Sequence, residues 1–272
     1  MKSNTKYFAA PYVVWMAIFV VVPLVLVVFY AFTTKDNSFT TENFTKMVDY
    51  LSVFSRSFVL AIAATVLCIL LGYPVAYLLS KESPRHQKIL LMLIMLPMWM
   101  NFLLRTYAWM SILENTGLLN RLLSFLHLPT INIINTSYAV ILGMIYNFLP
   151  FMVLPIYSVI GKIDRSLVEA AEDLGANSVY VFRKVIFPLS LPGVLSGVTM
   201  VFVPSVSTFV ISQLLGGSSN LLLGDLIEMQ FLGTAYNPHL GSAIALVMMV
   251  IVTVCMWLMN KFGAGEEKAV LL

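Results

Sequence analysis

Three groups of residues have types and spacing that bear on chemistry. The first lies in GKIDRSLVEAAEDLGANSVYVFRKVIFPLSLPG, residues 161–193. Ser166 and Glu169 have the spacing of a capping box, in which each side chain satisfies the other's free backbone amide, so a helix is predicted to begin there. Ala170, Ala171 and Leu174 extend it, and Gly175 falls where a helix stop needs a left-handed residue. Asn177 or Ser178 suits the cap of a second short helix running through Phe182, with Arg183, Lys184 and then Pro188 behind it. The chemistry of such a knob is docking, because a helix this short is not stable alone in water and needs a surface. That surface is a groove on another protein or the chain's own bundle. The second group is Trp99, Asn101, Tyr107, Trp109, Tyr146, Asn147 and Gln213. These rings and amides in or beside apolar runs can stand in for water around a polar solute, or form an interfacial belt. The third is the carboxylate pair Asp225 and Glu228, just after the apolar patch 221–223.

Catalytic sets are missing from the sequence. It holds no Ser/His/Asp constellation, no HExxH and no GxxxxGK[ST] phosphate loop. Cys68 and Cys255 sit in apolar runs and read as small hydrophobic fillers. His86, His127 and His239 are far apart, without metal-ligand spacing. The chain is therefore expected not to be an enzyme, and to hydrolyse no ATP by the phosphate-loop route.

The elements that position these residues are set by composition. Of 272 residues, 60% are hydrophobic and 11% charged, and the mean hydropathy is +0.90. Soluble domains carry about 25% charged residues, so most of this chain has lipid as its solvent. Six runs are long or apolar enough for helices crossing a membrane: about 11–32, 57–80, 89–104, 136–160, 185–214 and 242–260, none with a charged residue or histidine. The third is short and extends toward Trp109 if Arg105 is included. The first is too long for a signal peptide and reads as a retained span. With a cytoplasmic N-terminus, Lys2, Lys6, Lys81, Arg85, Lys88, Lys162, Arg165, Arg183, Lys184, Lys261 and Lys268 lie inside. Only Lys35, Lys46, Arg56, Arg105 and Arg121 lie outside. That bias sets both termini and the 161–184 loop in the cytoplasm. Pro23, Pro74, Pro97, Pro150, Pro155, Pro188, Pro192 and Pro204 kink the spans or let them rearrange. Gly193 and Gly197 form a small-residue pair for close helix packing, within the chain or against a partner. Residues 118–128 have the pattern of an amphipathic outer helix.

The knob resembles a family signature. Permeases of ABC importers carry EAA, three residues, Gly, nine residues and I-x-L-P in a cytoplasmic loop; here Glu169-Ala170-Ala171, Gly175 and Val185-Ile186-Phe187-Pro188 keep that frame, with Val185 and Phe187 as apolar departures. Leu71-Gly72-Tyr73-Pro74, Leu96-Pro97, Leu103-Leu104-Arg105-Thr106-Tyr107, Leu149-Pro150-Phe151-Met152, Asn220-Leu221-Leu222-Leu223-Gly224 and Gln230-Phe231-Leu232 are similar to the spermidine/putrescine branch, B-type. The resemblance implies an all-α polytopic membrane protein, one transmembrane domain over 1–272, with six transmembrane helices and a cytoplasmic EAA coupling-helix loop. By it, Glu169, Ala170, Ala171, Gly175 and Pro188 couple to an ATPase. It also implies two ABC ATPase copies holding ATP and Mg, a second homologous permease, an external binding protein, membrane lipid and no nucleic acid. The host membrane would be the inner or plasma membrane. A polyamine substrate would pass the rings and amides of the second group, held transiently by cation–π attraction, after attraction by Asp225 and Glu228. Rival readings are a related importer for iron, sulfate or phosphonate, and an ion-coupled secondary transporter, which usually needs ionisable groups or broken helices at the midplane.

Overall fold

The computed structural model describes the backbone of residues 5–233 and 235–270, and side chains over 11–259 except at 219 and 234, and at 261. Lys2, and the side chains of Lys6 and Lys268, which enter the orientation argument, lie outside the described residues. Among the described residues the chain is helical and has no strand; a single bridge pairs Thr33 with Phe39. Two compact units divide it, one formed by residues up to Phe54 with Leu226–Val252, the other by Ser55–Asp225 with residues from Thr253 on.

In the first unit, helix α1 crosses Pro11–Ala31, and none of its most apolar stretch is buried within the chain. A helix apolar all round, with Val13, Phe19 and Val25 exposed, needs lipid or another subunit as its surroundings. Its end is tied down by Asn43, whose amide donates to Ala31 O (3.0 Å) and Thr33 O (3.1 Å).

The second unit holds most of α2 (Leu51–Lys81), then α3 (Pro84–Met95), α4 (Phe102–Leu113), α5 (Leu118–Phe125), α6 (Ser137–Ile160), α7 (Arg165–Asp173), α8 (Ser178–Val181) and α9 (Phe187–Ser207). Helices α6 and α9 pack along each other because Gly193 and Gly197 present no side chain to α6. A Cβ on Gly193 would stand 2.9 Å from Pro155 O, and one on Gly197 2.7 Å from Met152 Sδ. The pair thus serves packing inside the chain. Cys68, Met144, Met152, Ile156 and Val201 fill the core around it. Cys68 is buried and Cys255 half-buried, both free thiols.

Helices α10 (Leu223–Leu232) and α11 (Pro238–Val270) each run from one unit into the other. Among the described residues, five stretches are long and apolar enough to cross a membrane: Pro11–Ala31, Glu42–Lys81, Ser137–Ile160, Ser178–Ser207 and Pro238–Met259. The sixth differs from the continuous run 89–104. Pro84–Trp99 and Phe102–Phe125 meet at a 90° bend. Pro97 sits in a 3-10 turn over Leu96–Trp99, and Met100 is extended. Asn101 then caps the new helix, its Oδ1 accepting the amides of Leu103 (2.8 Å) and Leu104 (3.4 Å). Such a cap offsets the free amides that the break exposes. Likewise α9 stops at Ser207, with Thr208 extended, short of the 185–214 run. A separate π turn covers Ser212–Gly216.

Candidate functional site

The knob is built by local hydrogen bonding. Its first helix starts at Arg165, a residue before the expected Ser166 start, because Asp164 and not Ser166 is the N-cap. The Asp164 carboxylate accepts the Ser166 amide at 3.0 Å. That hydrogen bond stabilises the charged form, so the carboxyl is held below its ordinary range. At the other end Gly175 has φ +83°, the left-handed region. Gly175 N–H donates to Glu172 O (2.8 Å) and Ala176 N–H to Ala171 O (3.1 Å), the two bonds of a Schellman stop. Asn177 Oδ1 accepts the Tyr180 amide at 2.8 Å and starts α8. A π turn over Phe182–Ile186 then leads into α9, with Pro188 in its first turn.

The knob has two faces. Val168, Ala171, Ala176 and Phe182 pack against the core. Leu174 is 90% exposed, and Leu167, Val179 and Tyr180 are exposed beside it. Ala171, Leu174, Gly175, Ala176, Asn177 and Tyr180 line an open concavity at the turn. Glu169 and Ala170 are exposed on α7. An apolar face standing out of a charged helix is suited to a protein surface.

The solute-path residues are dispersed. Trp99 (74% exposed), Asn101 and Tyr107 face outward around the α3–α4 break. Asn101 acts there as a helix cap. Trp109 and Tyr146 meet edge to face, ring centroids 5.2 Å apart. Gln213 is exposed in the π turn over Ser212–Gly216. Asn147 is 2% exposed, its Nδ2 donating to Gly143 O at 2.9 Å. Asp225 does not face solvent as expected of a carboxylate that draws in cations: it is 0% exposed, and its Oδ2 accepts the Leu222 amide at 2.7 Å. That oxygen is engaged within the chain. Glu228 is partly exposed.

Arg105, counted on the outer side unless the third run extends past it, is held within a helix. It lies inside α4, 8% exposed, and lines an open cavity of about 560 Å³ with Met98, Phe102, Asn147, Phe148 and Phe151. The Asn101 cap restarts the helix and carries the chain past Arg105.

Residues 68–265 match the family described as binding-protein-dependent transport system inner membrane component, and the chain belongs to that family. It is 40% identical over 248 residues to the spermidine/putrescine transport system permease protein PotB of Haemophilus influenzae, covering 87% of this chain and 86% of that one. It is 38% identical over 247 residues to the protein of the same name from Escherichia coli, covering 87% and 90%. Among solved structures, it superposes with TM-score 0.78 on a chain of a bacterial ABC transporter involved in the import of the acidic polysaccharide alginate. That match is 18% identical and covers 96% of this chain and 94% of that one, a likeness of fold.

Proposed function

We propose that this chain is the membrane permease of an ATP-driven importer that takes up polyamines such as spermidine or putrescine. Its relatives named PotB support the substrate class. The observation that carries the mechanism is the knob, capped at both ends and exposing Leu174, Val179 and Tyr180 to a partner. In this reading Glu169, Ala170, Ala171 and Gly175 form the contact with the ATPase, and Pro188 sets the entry of α9 into the bundle. Two ATPase copies hold ATP and Mg and perform all hydrolysis. A second, homologous permease completes the pathway, and an external binding protein delivers the solute. The whole chain acts as one transmembrane domain in the inner or plasma membrane, both termini in the cytoplasm. Closing of the ATPases moves the knob, and the bundle alternates between two accessibilities whose balance nucleotide and solute shift by differential affinity. Trp99, Tyr107, Trp109, Tyr146 and Gln213 offer rings and an amide to a desolvated ammonium, while Glu228 draws cations to the outer side.

A second reading, an importer of a small anion such as sulfate or a phosphonate, is favoured by one observation, the buried Arg105 in the cavity. The complete transporter reconstituted in liposomes separates the two. ATP-driven, binding-protein-dependent accumulation of spermidine or putrescine supports the polyamine reading. Accumulation of sulfate or phosphonate alone supports the second. Ion-driven uptake by this chain without partners contradicts both.

A further inference from the structure

Arg105 poses a physical problem that the described residues do not solve. The residue is buried, and among the described residues neither Nε nor Nη1 has a hydrogen-bond partner. Its contact is with the Phe102 ring on its own helix, at 5.9 Å. Cation–π attraction at that distance does not replace the hydrogen bonds a guanidinium loses on leaving water. Burying an unpaired cation in an apolar setting is costly enough that intramembrane arginines are paired. No Asp or Glu lies between Glu82 and Glu114 or between Glu114 and Asp164, and none lies in α9, so the helices around the cavity bring no carboxylate to it. In the same cavity Asn147 Oδ1 is also buried without a hydrogen-bond donor. An unused fork of donors and an unused acceptor thus share one opening, walled by Phe148, Phe151 and Met200.

A protonated polyamine carries N–H donors and no acceptor. It can satisfy Asn147 Oδ1 and rest on the rings, but it repels Arg105. The missing acceptor must come from elsewhere in the assembly. We propose that in the assembled transporter Arg105 is paired with a carboxylate of the second permease, making the cavity one half of a composite site in which Asn147 Oδ1 accepts from the substrate's ammonium. This rests on the polyamine-importer reading. The guanidinium presents donors in a planar fork that matches a carboxylate, so the pair fixes the partner's side chain as well as neutralising the charge. It also supplies the pathway with the anionic group that this chain's spans lack, held where an ammonium passes.

The test uses the complete transporter, with R105A and R105K in this chain. In the second permease, each Asp and Glu of the membrane spans is changed singly to Asn or Gln. Uptake of spermidine and the thermal unfolding temperature of the permease pair are both read. We expect R105A to lower uptake at least tenfold and R105K to retain part of it. One partner substitution should reproduce the loss, the double variant should be no worse than either single one, and exchanging Arg and the carboxylate between the subunits should restore uptake. Should R105A fail to insert, the partner-side variants keep Arg105 intact and read the same pair. Additive losses, or no partner carboxylate that matters, overturn the proposal, as does an R105A defect reproduced only by removing anionic lipid. So does an imported anion whose uptake needs Arg105. If the wild type imports no polyamine and yet both single variants lower the unfolding temperature non-additively, the pair stands and the substrate assignment falls.

Discussion

The Ala176 amide donates to the Ala171 carbonyl at 3.1 Å, across a left-handed Gly175. That bond folds the chain back on itself between α7 and α8 and lifts Leu174 to the tip of the knob, 90% exposed. The geometry of the turn and the exposure of the tip are separate properties, and separate substitutions test them.

Gly175→Val acts on the turn alone. A Cβ at Gly175 meets nothing within 4 Å, so the cost is backbone strain at φ +83° and not a clash. A β-branched residue held there costs about 1–3 kcal/mol, enough to disturb the turn between two helices too short to be stable alone. The variant is expected to insert normally and to retain much less ATPase on co-purification; unchanged retention would argue against the contact.

Leu174→Glu acts on the tip alone. The side chain makes little contact within the chain, so the unfolding temperature of the purified permease should move by no more than a degree or so. In the reconstituted complex, stimulation of ATP hydrolysis by the loaded binding protein should fall severalfold.

Asp164→Ala removes the cap of α7. Because the folded carboxyl titrates below its unfolded value, its contribution is present above the unfolded pKa and fades as pH falls through the folded one. Amide exchange at Ser166 should accelerate in the variant at neutral pH. In the wild type, protection of that amide relative to its intrinsic exchange rate should be lost only on acidification into and below the carboxylate range.

Asn101→Ala leaves the amides of Leu103 and Leu104 without an acceptor at the α3–α4 bend, at a cost of about 1 kcal/mol. Asn101→Asp keeps the acceptor. Thermal unfolding should rank wild type and Asp together, above Ala; if all three coincide, the cap is not what holds the bend.

Gly197→Leu tests the seam between α6 and α9. Met152 Sδ would lie 2.7 Å from the new Cβ, so the helices must separate. Overpacking of this kind costs about 1–3 kcal/mol, and a lowered unfolding temperature with reduced yield from the membrane is expected.

The sequence made some of this legible and concealed the rest. Gly175 and Asn177 announce a stop and a start because their residue types are tied to particular backbone conformations and hydrogen bonds. Gly193 and Gly197 announce close packing for the same steric reason. The cap at Asp164 was missed because Ser166–Glu169 offered a competing pattern, and a carboxylate accepting its neighbour's amide won. The burial of Arg105 and Asp225 was not legible because hydropathy averages over a window and carries no information on which way a side chain points. Asn101 shows the same limit, since an amide in an apolar run signals a solute path or a helix restart equally well.

Coupling of nucleotide to the bundle requires that the knob touch the ATPase. A single cysteine at position 174, introduced after Cys68 and Cys255 are changed to serine, should cross-link to the ATPase subunit in the assembled transporter and change its yield when ATP is bound. Absence of any cross-link to that subunit, or labelling of the same cysteine from outside intact cells, would contradict it.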